Sequence, residues 1–107
     1  MTPPSSSDNR QFQRMPFIQD VEVIGVGQHR CSDLSVGGLY LETVHPFPEG
    51  SIVSLRFKLH ASDEQVLTVR ARVVYVHEGV GLGLSFVDLH PYYREKIETF
   101  IKGSMGE

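Results

Sequence analysis

The chain has 107 residues and a single cysteine, a length that suits one domain able to bury a core without disulfides. Ten Lys and Arg against thirteen Asp and Glu leave a formal charge of −3, which argues against a general nucleic-acid binder held by basic excess. No run of about 20 apolar residues is present, so no segment reads as a membrane-spanning helix.

Met1–Asn9 reads as a disordered lead, because Pro3, Pro4 and the Ser5-Ser6-Ser7 run bury no apolar surface to offset ordering. Met1–Arg10 is polar throughout and lacks the apolar stretch of a secretory signal. With Cys31 unable to form an internal disulfide, a reducing, cytoplasmic location is the expectation. The domain itself is expected over 10–103, with 104–107 a short tail.

After Pro16 the pattern takes the two-residue period of strands. Phe17, Val21 and Val23 share one face, with Asp20 and Glu22 on the other. Gln28–Ser32 fits a short second strand. Leu39 and Leu41 alternate with Tyr40 and Glu42. From Ile52 to Leu59, Val53, Leu55, Phe57 and Leu59 point one way and Ser54, Arg56 and Lys58 the other. A turn around Ala61–Glu64 leads to Leu67, Val69, Ala71 and Val73, alternating with Thr68, Arg70 and Arg72. Val73-Val74-Tyr75-Val76 breaks the alternation, which suits a bulge or a doubly buried segment. Leu82, Leu84 and Phe86 form the last alternating set. Short strands joined by turns predict an antiparallel sheet closed into a barrel or sandwich. Tyr93, Ile97, Phe100 and Ile101 then recur at helical spacing, with Pro91 suited to the first helical position and Gly103 to the stop. This helix is expected to cover a mouth or flank of the barrel.

No nucleophile, acid–base pair or metal set emerges, so no enzymatic activity is expected. The five histidines, His29, His45, His60, His77 and His90, are scattered. His29 and Cys31 form one H-x-C pair with no second pair to complete a zinc site, and no metal is expected. Gly79, Gly81 and Gly83 lie in a strand pattern rather than a phosphate loop and suit a bend or a close backbone approach. Acids gather at Asp63, Glu64, Glu95 and Glu98.

Two features stand out. Arg10-Gln11-Phe12-Gln13-Arg14 is an R-x-x-x-R just before the first strand, and Asp33-Leu34-Ser35-Val36-Gly37-Gly38 is a D-x-S-x-x-G opening the third strand region. Taken singly they read as solvated tail charges and as a turn, with Gly38 supplying an unusual dihedral angle. Together, and with Gly81-Leu82-Gly83-Leu84-Ser85-Phe86 as a last strand and a closing helix, they resemble the PilZ domain family across nearly the whole chain. The resemblance implies a six-stranded antiparallel β-barrel with one C-terminal α-helix, and cyclic di-GMP as ligand.

The residues suit that ligand. Guanidinium groups such as Arg10 and Arg14 fork onto phosphate oxygens or the O6/N7 edge of guanine, and on a mobile lead they can close over a ligand. The resemblance places Asp33 toward the guanine N1 and N2 donors, Ser35 as a hydroxyl donor and Gly38 where backbone meets ligand. Some family members carry a further arginine directly before the first motif arginine and bind a stacked ligand dimer. Here that position is Asn9, so one ligand per chain, or a dimer bound only weakly, is expected. Arg30, Arg70 or Arg72 are the residues able to substitute. The chain is expected to act as a stand-alone receptor or adaptor that relays the signal to an effector protein not identifiable from sequence. Two alternatives stay open: a ligand-blind protein-interaction module, and a barrel binding single-stranded nucleic acid through Arg56, Lys58, Arg70 and Arg72.

Overall fold

The computed structural model describes residues 14–104. In chain order it contains β1 (Met15–Val23), β2 (Gly27–Ser35), β3 (Gly38–Glu42), β4 (Ile52–Phe57), β5 (Leu67–His77), β6 (Gly81–Val87) and α1 (Pro91–Ser104). The strands close in the order β1-β2-β3-β6-β5-β4, all neighbours antiparallel. Closure runs through Glu22↔Arg56 and Val23↔Leu55, where the end of β1 meets β4. This is the expected six-stranded antiparallel barrel with one C-terminal helix.

The alternation read from the sequence decides which side chains fill the barrel. Phe17, Val21, Val23, Leu39, Leu41, Leu55, Leu67, Val69, Ala71, Val73, Leu82 and Leu84 are all buried in one core. Val74 is the extra residue of a bulge: Val73 pairs with Leu84 and Tyr75 with Gly83. The bulge resets the alternation, so Val74 and Tyr75 are exposed while Val76 packs back on the core.

Because neighbours are antiparallel, the starts of β1, β3 and β5 meet the ends of β2, β4 and β6 at one mouth. α1 covers that mouth. Ile97 and Ile101 are buried, and Phe100 meets Phe17 edge-on at 5.6 Å, with Phe57 edge-on to Phe17 behind it. Pro91 is indeed the first helical residue. His90 caps the helix, its Nδ1 accepting from the Tyr92 amide at 3.0 Å. Gly103 does not stop the helix, which includes it and continues to Ser104. A single glycine costs only about 1 kcal/mol in a helix interior and does not end one by itself.

Two strand boundaries differ from expectation. The second strand continues past Ser32 to Ser35, since its pairing with β1 and β3 persists beyond the polar Ser32-Asp33 step. The β4–β5 connection spans 58–66, longer than a tight turn, and is held by Asp63, whose carboxylate accepts from the His60 amide at 3.1 Å. The lead Met1–Asn9, with Asn9, Arg10 and residues 105–107, lies outside the described residues.

Candidate functional site

The site begins with a change of register in β2. Cys31 and Leu34 are both buried, yet they are three residues apart, so a plain strand would turn one of them outward. Ser32 is the extra residue that resolves this: Cys31 pairs with Leu41 and Asp33 with Tyr40. Across the β1–β2 ladder the register shifts at the same level, between Pro16↔Asp33 and Gln19↔Cys31. The bulge turns Leu34 into the core and swings Asp33, which would otherwise follow Cys31 inward, to the outside. The D-x-S segment is therefore bulged strand, not the opening of the third strand, and only Val36-Gly37 form the turn.

Arg14 directly precedes β1, where Met15 pairs with Leu34, and this places it beside the outward Asp33. Its Nη2 and Nε both donate to Asp33 Oδ1, at 2.6 and 3.2 Å, and its Nη1 donates to Ser35 Oγ at 3.4 Å. The side chains of Arg14 and Asp33 are 39 and 35% exposed, so a ligand has access to both. Arg14, expected on a mobile lead, is instead tied to the barrel by charge and two acceptors. Of the expected site residues, the fold brings Arg14, Asp33 and Ser35 into contact, with Gly38 adjoining. Asn9 and Arg10 fall outside the described residues.

Ser35 is fully buried and holds the turn. Its Oγ accepts from the amides of Gly37 and Gly38 at 3.1 and 3.2 Å and donates to the Gly38 carbonyl at 3.3 Å. Gly38 has no unusual φ. Its backbone lies so close to β6 that a Cβ would collide with the Leu84 carbonyl, so glycine is required by strand approach rather than by a left-handed dihedral.

The sequence reading missed the aromatic surface beside this pair. Asp33, Tyr40, Gly83 and Tyr75 stand in register across β2, β3, β6 and β5. The Tyr75 ring lies over Gly83, and the Tyr40 ring lies against Gly81, its Cε2 2.7 Å from where a Cβ would stand. Tyr40 hydrogen-bonds His77 Nδ1 at 3.0 Å, and Tyr75 stays 42% exposed. Burial first, then the neighbouring Tyr75, Glu42 and Asp33, raises the Tyr40 pKa, so this hydroxyl keeps its proton. The signal was present: two glycines two apart on β6 leave room on the outer face for rings from both sides.

Other candidates carry less. His29 bonds the Gly27 carbonyl through Nδ1 and packs edge-on to Phe47. Cys31 is buried, its thiol pushed up to about 12 by loss of solvent and then by the Asp33 carboxylate, so it forms no thiolate near neutral pH. Arg56 pairs with Glu22 and Arg70 with Asp88, which neutralises two of the four cations proposed for a nucleic-acid groove. A groove of about 550 Å³ lies between the 58–66 loop and α1, but Arg14, Asp33 and Ser35 do not line it. No described helix is long and apolar enough to cross a membrane.

Comparison with known proteins bears on the fold and the family. No curated protein matches the chain. The Bacillus subtilis inhibitor of motility MotI/DgrA is similar in structure, with TM-score 0.77 and 16% identity over 98% of this chain and 57% of that one. Escherichia coli YcgR, solved in complex with c-di-GMP, gives TM-score 0.69 and 15% identity over 90% of this chain and 46% of that one. Borreliella burgdorferi PlzA, also solved with c-di-GMP, gives TM-score 0.53 and 15% identity over 94% of this chain and 38% of that one. The chain thus spans roughly half the length of these structures, and at such identities the likeness speaks to the fold. The PilZ domain profile matches residues 8–103, nearly the whole length, and the chain belongs to the PilZ domain family.

Proposed function

We propose that this PilZ domain is a receptor for cyclic di-GMP and relays the bound state to a partner protein, without catalysis of its own. The observation that carries the reading is the assembly of Arg14 and Asp33 into one accessible pair at the barrel rim. Family membership and the two c-di-GMP complexes among the similar structures support it.

The chemistry follows from the donor set. The Arg14 guanidinium offers parallel N–H groups to a phosphate or to the guanine O6/N7 edge. The Asp33 carboxylate accepts from guanine N1–H and the N2 amino group. Tyr75, exposed in the same row as Asp33 three strands across, offers a face on which a base can stack. Ser35 acts by holding the Val36-Gly37 turn and one Arg14 nitrogen, and Gly38 by letting β3 approach β6. Arg10, four residues before Arg14, completes the cationic clamp in this reading.

Amide chemical shifts of the labelled protein, followed during addition of cyclic di-GMP, test the reading. Shifts should concentrate at Arg14, Ser32–Gly38, Tyr40 and Tyr75. Shifts confined to the 58–66 loop and α1, or no shifts at saturating ligand, would reject it.

A further inference from the structure

The described residues hold six arginines, and five pair with carboxylates: Arg14–Asp33, Arg30–Glu42, Arg56–Glu22, Arg70–Asp88 and Arg94–Glu98. Arg72 has no such partner among the described residues. Its Nη1 reaches the Gly50 carbonyl at 3.5 Å, the limit of a hydrogen bond, and its side chain is exposed.

Its position gives this freedom a use. Buried Ala71 and Val73 flank it in β5, so Arg72 points outward. It pairs with Ser85, Ser85 with Gly38, and Gly38 with Ser35, one rung through four strands that ends at the motif turn. The next rung holds Tyr75, Gly83, Tyr40 and Asp33. Gly38 and Arg72 are separated by one strand, hence about 10 Å at 4.7–4.9 Å per step. In the row between them β6 turns outward only Ser85, while the Tyr75 ring covers Gly83 alongside. Arg14 thus stands at one side of this surface and Arg72 at the other.

We propose that Arg72 is a second phosphate-binding residue of the cyclic di-GMP site, engaging the phosphate remote from Arg14. The proposal rests on the ligand assignment made above. A cyclic dinucleotide carries two phosphates on opposite sides of its ring, and Arg14 with the segment before it approaches from the β1 side, so a cation on the β5 side meets the phosphate remote from it. Arg14 is shared with Asp33, whereas among the described residues Arg72 has no carboxylate to give up when it takes an anionic oxygen. Arg30 and Arg70 are less suited, since Glu42 and Asp88 already hold them. The planar fork suits two phosphate oxygens, which a lysine ammonium meets only as a point charge.

The test is calorimetric titration of cyclic di-GMP into the full chain as wild type, Arg72→Ala, Arg72→Lys and Arg70→Ala, with Arg14→Ala as reference. All are surface changes, checked by coincident melting curves. Arg72→Ala should weaken binding about tenfold, about 1.4 kcal/mol. Arg72→Lys should recover part of that loss, and Arg70→Ala should stay within about twofold of wild type. If Arg72→Ala binds like Arg70→Ala while Arg14→Ala is impaired, the Arg72 assignment is wrong and the ligand assignment stands. If wild type itself takes up no ligand, both fall.

Discussion

Gly38→Ala separates two roles for the glycine of the D-x-S-x-x-G segment. A Cβ at this position would overlap the Leu84 carbonyl oxygen and stand 2.9 Å from the Leu84 carbonyl carbon and 3.0 Å from Ser85 Cα. All three atoms are backbone, so no rotamer change relieves the contact. β3 and β6 must part along Gly38↔Ser85 and Leu39↔Leu84, the end of the ladder beside the motif. Forcing a methyl into a packed site costs about 1–3 kcal/mol, and each weakened strand hydrogen bond about 0.5–1.5 kcal/mol more. The lower unfolded-state entropy of alanine returns about 0.4–1 kcal/mol. The net is a loss of about 3 kcal/mol, or a melting point lower by about 12–24 °C at 4–8 °C per kcal/mol. Urea unfolding monitored by circular dichroism measures it. Gly50→Ala is the control: its φ of +89° strains alanine, but a Cβ there meets open space, so it should lose only about 1–2 kcal/mol. Gly38→Ala melting within about 0.5 kcal/mol of wild type would refute the packing argument. Native stability with lost ligand binding would make Gly38 a ligand contact instead.

Arg14→Ala and Asp33→Ala should each weaken cyclic di-GMP binding by about one to two decades, from roughly 1.5–3 kcal/mol per charged hydrogen bond. Both should melt within about 1 kcal/mol of wild type, because a pair this exposed contributes little to stability; a larger shift would mark the pair as structural. Cys31 should resist thiol reagents until the chain unfolds. Its thiol keeps its proton up to about pH 12 when folded but loses it from about pH 9 when unfolded, so the folded state binds more protons in that window. Stability should therefore fall as pH rises from 9 to 12, by up to about 1.4 kcal/mol per unit, and Cys31→Ala should lack that component. Equal alkaline slopes in the two proteins would show that the thiol ionises without opening the fold. Asn9→Arg should raise the ligand count from one to two per chain in calorimetry; a wild type that already takes two tightly would show that position 9 does not set the number.

The barrel was legible because its cause is local. Alternating apolar residues from Ile52 to Leu59 and from Leu67 to Val73 can bury one face only as strands, and the switch to helical spacing at Pro91 has no other reading. The irregularities were harder. The Val73–Val76 run announced the bulge at Val74, since four consecutive apolar residues cannot all alternate. The bulge at Ser32 left a subtler mark, the three-residue interval from Cys31 to Leu34, and without it Asp33 read as part of a turn. The family resemblance grouped Arg10, Arg14, Asp33, Ser35 and Gly38 but did not give their division of labour. That Ser35 is sealed in the turn and Gly38 sits against Leu84 depends on how β3 meets β6, where Gly38 pairs with Ser85, 47 positions away in sequence. The Tyr40–Tyr75 surface and the outward place of Arg72 are likewise products of register between strands, which no single segment encodes.

The central claim is that this chain recognises cyclic di-GMP through Arg14 and Asp33. Calorimetric titration with cyclic di-GMP and, in parallel, with cyclic di-AMP addresses both halves. Adenine lacks the N1–H and N2 donors that Asp33 would accept from, so the guanine ligand should bind at least about tenfold more tightly. Asp33→Ala should remove most of that preference. Equal affinity for the two dinucleotides, or no heat from either, would contradict the account.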